Sequence, residues 1–124
     1  MMQDMSRQEM LNYIQATSKS SGAKMEKLLE KETELTEKGN KYGVKFTKRQ
    51  FDLAVDPIIK AEHTRSRILE LTRTASMSVR EISKRLELAT KEVLQHITIL
   101  RHRNLIVTDS VDKQVPKYRG LPEE

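Results

Sequence analysis

Residues 78–106 read SVREISKRLELATKEVLQHITILRHRNLI, and this stretch decides the fold. Ser78 followed three positions on by Glu81 is a capping box, in which the serine oxygen accepts from a free backbone N–H and the glutamate reaches back to the cap residue's own amide. Val79, Ile82 and Leu86 then recur at helical spacing, so a helix over about 79–87 has one apolar stripe and a charged outer face of Arg80, Lys84 and Arg85. The pattern changes phase through Glu87, Leu88 and Ala89, a break of turn length. A second helical period starts at Thr90, with Val93, Ile97 and Leu100 inward and Thr90, Lys91, Leu94, Gln95 and Thr98 on the opposite face.

Two helices joined by so short a turn make a helix-turn-helix, whose second helix fits a DNA major groove. Leu105, Ile106 and Val107 follow as a β-prone run, residues 109–113 as a polar turn and residues 114–119 as a return strand, together a wing. The runs TRSRILEL, SVREISKRLEL, VLQHITILRHRNLI and KYRGL resemble the winged helix-turn-helix of the ArsR type (ArsR/MarR-like) of bacterial and archaeal repressors, over roughly the second half of the chain. The resemblance implies a mainly α fold with a small β-wing, and a sequence-specific, double-stranded DNA-binding transcriptional regulator acting as a dimeric repressor. It also implies dimerisation through helices outside the motif. Many members of that family sense metals through cysteines on the motif's first helix; VREISKR has none, which excludes thiol-based sensing.

Composition agrees with a chain of this kind. Its 124 residues suffice for one modest core and an appendage, and with 36% hydrophobic and 33% charged residues much of it must be solvated helix surface. Aromatics make up 4%, which disfavours the base-stacking surface of single-strand binders. The net charge of +5 suits a phosphate-bearing partner, and the surplus is in the second half: residues 1–56 sum to +1 and residues 57–124 to +4. There is no cysteine, hence no disulfide or thiolate site. Met1, Met2 and Met5 are not followed by an apolar run of leader or membrane-span length, so a cytoplasmic location is expected.

In chain order, Ser6 and Glu9 form a capping box for a helix to about Thr17, and residues 18–22 read as a small-residue break. A second helix is predicted over 23–38, with Met25, Leu28, Leu29 and Leu35 apolar and Gly39 as its stop. These helices bury too little alone, so they fold back on the rest of the chain, pair with a second copy or dock on another protein. After a connector over 40–46, Thr47 and Gln50 cap a short helix carrying Phe51, Leu53, Ala54 and Val55. Asp56 as N-cap and Pro57 at the first helical position then start the first helix of the winged domain, to Arg73, with Ile58, Ala61, Ile68, Leu69 and Thr72 facing in. Residues 75–77 lead, as a short strand, into Ser78. The expected division is an N-terminal helical arm over 1–46, for dimerisation or docking, and a winged domain over 47–124.

On the DNA reading, Thr90, Lys91, Leu94, Gln95 and Thr98 face base edges, where Lys and Gln donate and Leu94 touches only a thymine methyl. Arg80, Lys84, Arg85 and Arg101 lie near phosphates, with Lys113, Lys117 and Arg119 on the wing. Several residues depart from the resembled pattern: Ala89 stands where a serine or threonine is usual, Glu92 and Leu94 where small polar residues are usual, and Asp109 and Asp112 at the wing tip. A large exposed aliphatic is typical of protein interfaces, which keeps open an alternative: a non-catalytic adaptor subunit that docks on a larger protein complex through the winged helix and the arm. His96 and His102 are six apart, on different sides of one helix, and with His63 read as structural or surface residues rather than metal ligands. No glycine-rich phosphate loop, nucleophile elbow or paired carboxylate in an apolar setting is present, so neither catalysis nor a cofactor is expected.

Overall fold

The computed structural model describes residues 5–39 and 42–123; Asn40, the first residue of the expected connector, lies outside them. The chain divides into two compact units, Met1–His63 and Thr64–Glu124. In the first unit, α1 (Arg7–Thr17) starts at the anticipated capping box, with Ser6 Oγ accepting from the Glu9 amide at 3.2 Å and the Ser6 amide donating to Glu9 Oε1 at 3.3 Å. The break expected over 18–22 contracts to Ser18 alone, which donates its N–H to Ile14 and caps α2 (Lys19–Thr33) through its side chain. Gly22 is helical, and its smallness serves packing: a Cβ there would stand 2.4 Å from Gln15 Cγ of α1. A π-helical turn, Glu34–Lys38, follows, and Gly39, at φ 86°, ends it as expected.

Helix α3 (Lys48–Thr74) corrects a larger expectation. It begins at the predicted Thr47–Gln50 capping box but runs straight through Asp56 and Pro57. Two causes are visible. Phe51, Val55 and Ile59, spaced four apart, are all buried in one core with Ile14 of α1 and Met25 of α2, so the apolar face keeps its phase across the proline. Pro57 and Leu53 are both exposed, so the carbonyl that the proline leaves without a donor faces water. Asp56 is no cap; it accepts from Arg7 Nε at 3.1 Å, and Asp52 accepts from the same guanidinium at 2.9 Å. With the phase set from Phe51, Ile59 faces inward, whereas Ile58 is 41% exposed and Ala61 half-buried. The two units part within α3, between His63 and Thr64.

The second unit takes residues 64–74 of α3, then α4 (Val79–Leu86), α5 (Thr90–His102), β1 (Ile106–Asp112) and β2 (Val115–Gly120). Its core joins Ile68, Ile82, Leu86, Val93, Ile97, Leu100, Ile106 and Tyr118. Truncating any of the large aliphatics in such a core costs about 2–5 kcal/mol. Of the short strand expected over 75–77, Met77 alone pairs, exchanging both backbone hydrogen bonds with Tyr118 at 3.0 and 2.7 Å. The antiparallel hairpin is longer and its turn tighter than expected. Lys113 and Gln114 alone make the turn, both at positive φ (49° and 68°), and Asp109 lies within β1 as the extra residue of a bulge between Thr108 and Ser110. Gly120, at the end of β2, lies so close to α3 that a Cβ would meet Leu69 O at 2.6 Å and Thr72 Oγ1 at 2.8 Å.

Candidate nucleic-acid interface

The turn between α4 and α5 is fixed by its own backbone. The capping box at Ser78 starts α4, with Glu81 N to Ser78 Oγ at 3.2 Å and Ser78 N to Glu81 Oε1 at 3.1 Å; the Ser78 amide first, then the Ser78 hydroxyl, hold the Glu81 carboxyl below its usual range. Glu87 ends the helix in the left-handed region at φ 56°. Ser83 then closes the turn: its carbonyl accepts from Leu88 N at 3.1 Å, and its hydroxyl donates to Leu88 O. Ala89 is the extended N-cap of α5 and provides no side-chain acceptor, so the first-turn amides of α5 have no cap. The far end is a Schellman closure, with Asn104 at φ 60°, its amide on Arg101 O and the Leu105 amide on Leu100 O, both at 3.0 Å.

Between these ends α5 is firmly oriented. Val93, Ile97 and Leu100 are at most 2% exposed. Thr90, Lys91, Leu94, Gln95, Thr98 and Arg101 are all exposed, as the helical spacing predicts. Arg80, Lys84 and Arg85 are likewise exposed on α4. His102 shares the outer stripe with Lys91, Gln95 and Thr98, a placement that the spacing of 4, 3 and 4 residues already contained.

His96 faces the other way and is 9% exposed. Its Nδ1 lies 3.3 Å from Arg65 Nη1; a guanidinium only donates, so this nitrogen accepts and the ring proton is on Nε2. That nitrogen faces Glu92 Oε1 at 3.8 Å, so the carboxylate that departs from the resembled pattern stands against an inward histidine one turn away.

The wing differs most from expectation. Lys113 is exposed at the tip, and Asp112 pairs with Val115 beside it. Lys117 Nζ lies 3.8 Å from Glu81 of α4, and Arg119 Nε lies 3.4 Å from Asp109. Asp109, which also accepts from Ser76, is therefore not a wing-tip charge but a strand residue that balances Arg119. Pairs so far apart in sequence, Glu81 with Lys117 above all, have no local signal.

Residues 62–108 match the family model described as bacterial regulatory protein, arsR family. This segment is an ArsR-type winged helix-turn-helix. The match takes in the end of α3, all of α4 and α5, and the start of β1. The match supports a DNA-binding domain of the kind found in transcriptional regulators. No curated protein and no solved structure matches the chain. Among the described residues no His, Asp or Glu group is arranged to hold a metal ion, and no helix is long and apolar enough to cross a membrane.

Proposed function

We propose that this chain is a dimeric, cytoplasmic transcriptional repressor that reads double-stranded DNA in a sequence-specific way with α5. The observation that carries the reading is the division of that helix into a stripe buried at Val93, Ile97 and Leu100 and an uncovered face bearing Lys91, Gln95 and Thr98. Lys91 and Gln95 donate to base edges, while Arg80, Lys84, Arg85, Arg101 and Lys113 meet phosphates. The uncapped amides at the start of α5 add donors for a phosphate. Lys117 and Arg119 join the phosphate contacts only by exchanging their carboxylate partners.

Pairing of two copies is supported by Leu53 and Ile58, 65% and 41% exposed on α3, which with the exposed Ala54 and Pro57 between them offer an apolar face beside an otherwise self-contained helical core. A pair would read half-sites about one helical turn, roughly 34–36 Å, apart. The test is selection from a random duplex library by the full chain, followed by affinity measurements over a salt series. A unique enriched site is expected, with Lys91→Ala and Arg85→Ala each weakening binding and lowering the salt slope by about 1. Sedimentation of wild type and Leu53→Asp tests the dimer. The exposure of Leu94, at 49%, favours one other reading, a docking module for a larger protein assembly. That reading predicts duplex affinity no better than roughly micromolar and release of a protein partner by Leu94→Asp.

A further inference from the structure

Leu94 is 49% exposed at the centre of a helix face otherwise made of polar side chains. Four residues on, Thr98 stands directly beside it on the same face. The Thr98 hydroxyl is committed inward: Oγ1 donates to Leu94 O at 2.9 Å. Its only hydrogen is thereby used, so toward a ligand the side chain has no donor: it offers the Cγ2 methyl and an oxygen that can only accept. The outer face of α5 thus has an apolar patch of leucine and threonine methyls, with Lys91, Gln95 and Arg101 exposed around it.

Charge and shape together select the occupant. Lys91 and Arg101, with Arg80, Lys84 and Arg85 on α4, suit a polyanion, and an apolar patch among cations suits a polyanion that displays apolar groups. In a duplex major groove one such group exists, the 5-methyl of thymine, beside an adenine edge that glutamine recognises through N6 and N7. We infer that Leu94 and Thr98 are specificity-determining residues that read the 5-methyl groups of thymines in adjacent A·T pairs, with Gln95 on a neighbouring adenine. This rests on the DNA-binding reading above and deepens it. Leu94, a departure from the small polar residue usual in the family, then directs the choice of site.

The experiment starts with the duplex selected by the full chain and replaces its thymines one at a time by deoxyuridine, which removes the methyl group and leaves every hydrogen bond in place. Wild-type protein should lose affinity about fourfold at one or two positions, the effect of one buried methyl group. Leu94→Ala should bind the thymine and deoxyuridine forms equally at one of these. Thr98→Ser, which keeps the hydroxyl bond to Leu94 O and deletes only the methyl, should lose discrimination at the neighbouring one. A selected site indifferent to every deoxyuridine, or discrimination that persists in both variants, overturns the inference and leaves DNA reading intact. Failure to enrich any sequence overturns both.

Discussion

Pro57 lies in the interior of α3, and replacing it by alanine should stabilise the protein. An interior proline costs about 3 kcal/mol relative to alanine, through the missing N–H and the clash of its ring with the carbonyl four residues back. Here that carbonyl belongs to Leu53, which is exposed, and Pro57 itself is exposed, so substitution removes no buried contact. The apolar line Phe51, Val55 and Ile59 keeps the helix in phase with or without the ring. Hydration of the freed carbonyl already recovers part of the penalty, which leaves a gain of about 1–3 kcal/mol for Pro57→Ala. In a unit of this size each kcal/mol moves the melting temperature by about 4–8 °C. The assay is thermal and urea unfolding followed by far-UV circular dichroism, with amide exchange at residue 57 reporting the new hydrogen bond directly. A fall in stability would refute the reasoning, because it would mean that proline starts a separate helix there and that Asp56 caps it.

Three further outcomes follow from the second unit. Ala89→Ser gives α5 the side-chain acceptor that it lacks and should stabilise the unit by about 1 kcal/mol in urea unfolding, with Ala89→Gly falling only a few tenths short of that gain. Gly120→Ala places a methyl 2.6 Å from a backbone oxygen of α3 and should destabilise by about 1–3 kcal/mol; an unchanged melting temperature would show that β2 retreats freely. The Glu81 carboxyl is held below its usual range first by the Ser78 amide, then by the Ser78 hydroxyl, with Lys117 and Arg85 adding to this. Its contribution is therefore complete above the unfolded carboxylate value of about 4.3 and is lost as pH falls through the lower folded value. Glu81→Gln keeps the capping box without the charge, so the fall of its melting temperature below about pH 4 should be shallower than that of the wild type.

What could be read from the sequence was whatever a few neighbouring residues decide by themselves. Capping boxes at Ser6, Thr47 and Ser78 form because donor and acceptor are three residues apart, and the buried and exposed faces of α5 follow from helical spacing alone. Misreadings arose where a local signal met a tertiary demand. Asp56–Pro57 has the chemistry of a helix start, yet a buried line on both sides of the proline and the grip of Arg7 on Asp56 keep α3 whole. The small-residue run over 18–22 looks like a turn, but Gly22 is small to let α1 approach. Lys113 and Gln114 form a two-residue turn at positive φ without the asparagine–glycine pair that would announce it, so the strands run longer than their sequence suggests.

The same distinction governs the interface. Which side chains of α4 and α5 reach outward was legible; which cations are already engaged was not, because Glu81 and Lys117 meet only after the wing folds back. The pairs at 3.8 and 3.4 Å are open to water and screened by salt, so a phosphate displaces either carboxylate at little cost. They do, however, set where charge is uncommitted. On the proposed reading, a duplex approaching this unit meets Arg80, Lys84, Arg85, Lys91 and Arg101 on the two helices first, and the wing only after an exchange of partners. Affinity is then governed mainly by the helix pair, and choice among sites by the side chains between those cations, of which Leu94 and Thr98 have the least to offer a phosphate and the most to offer a methylated base.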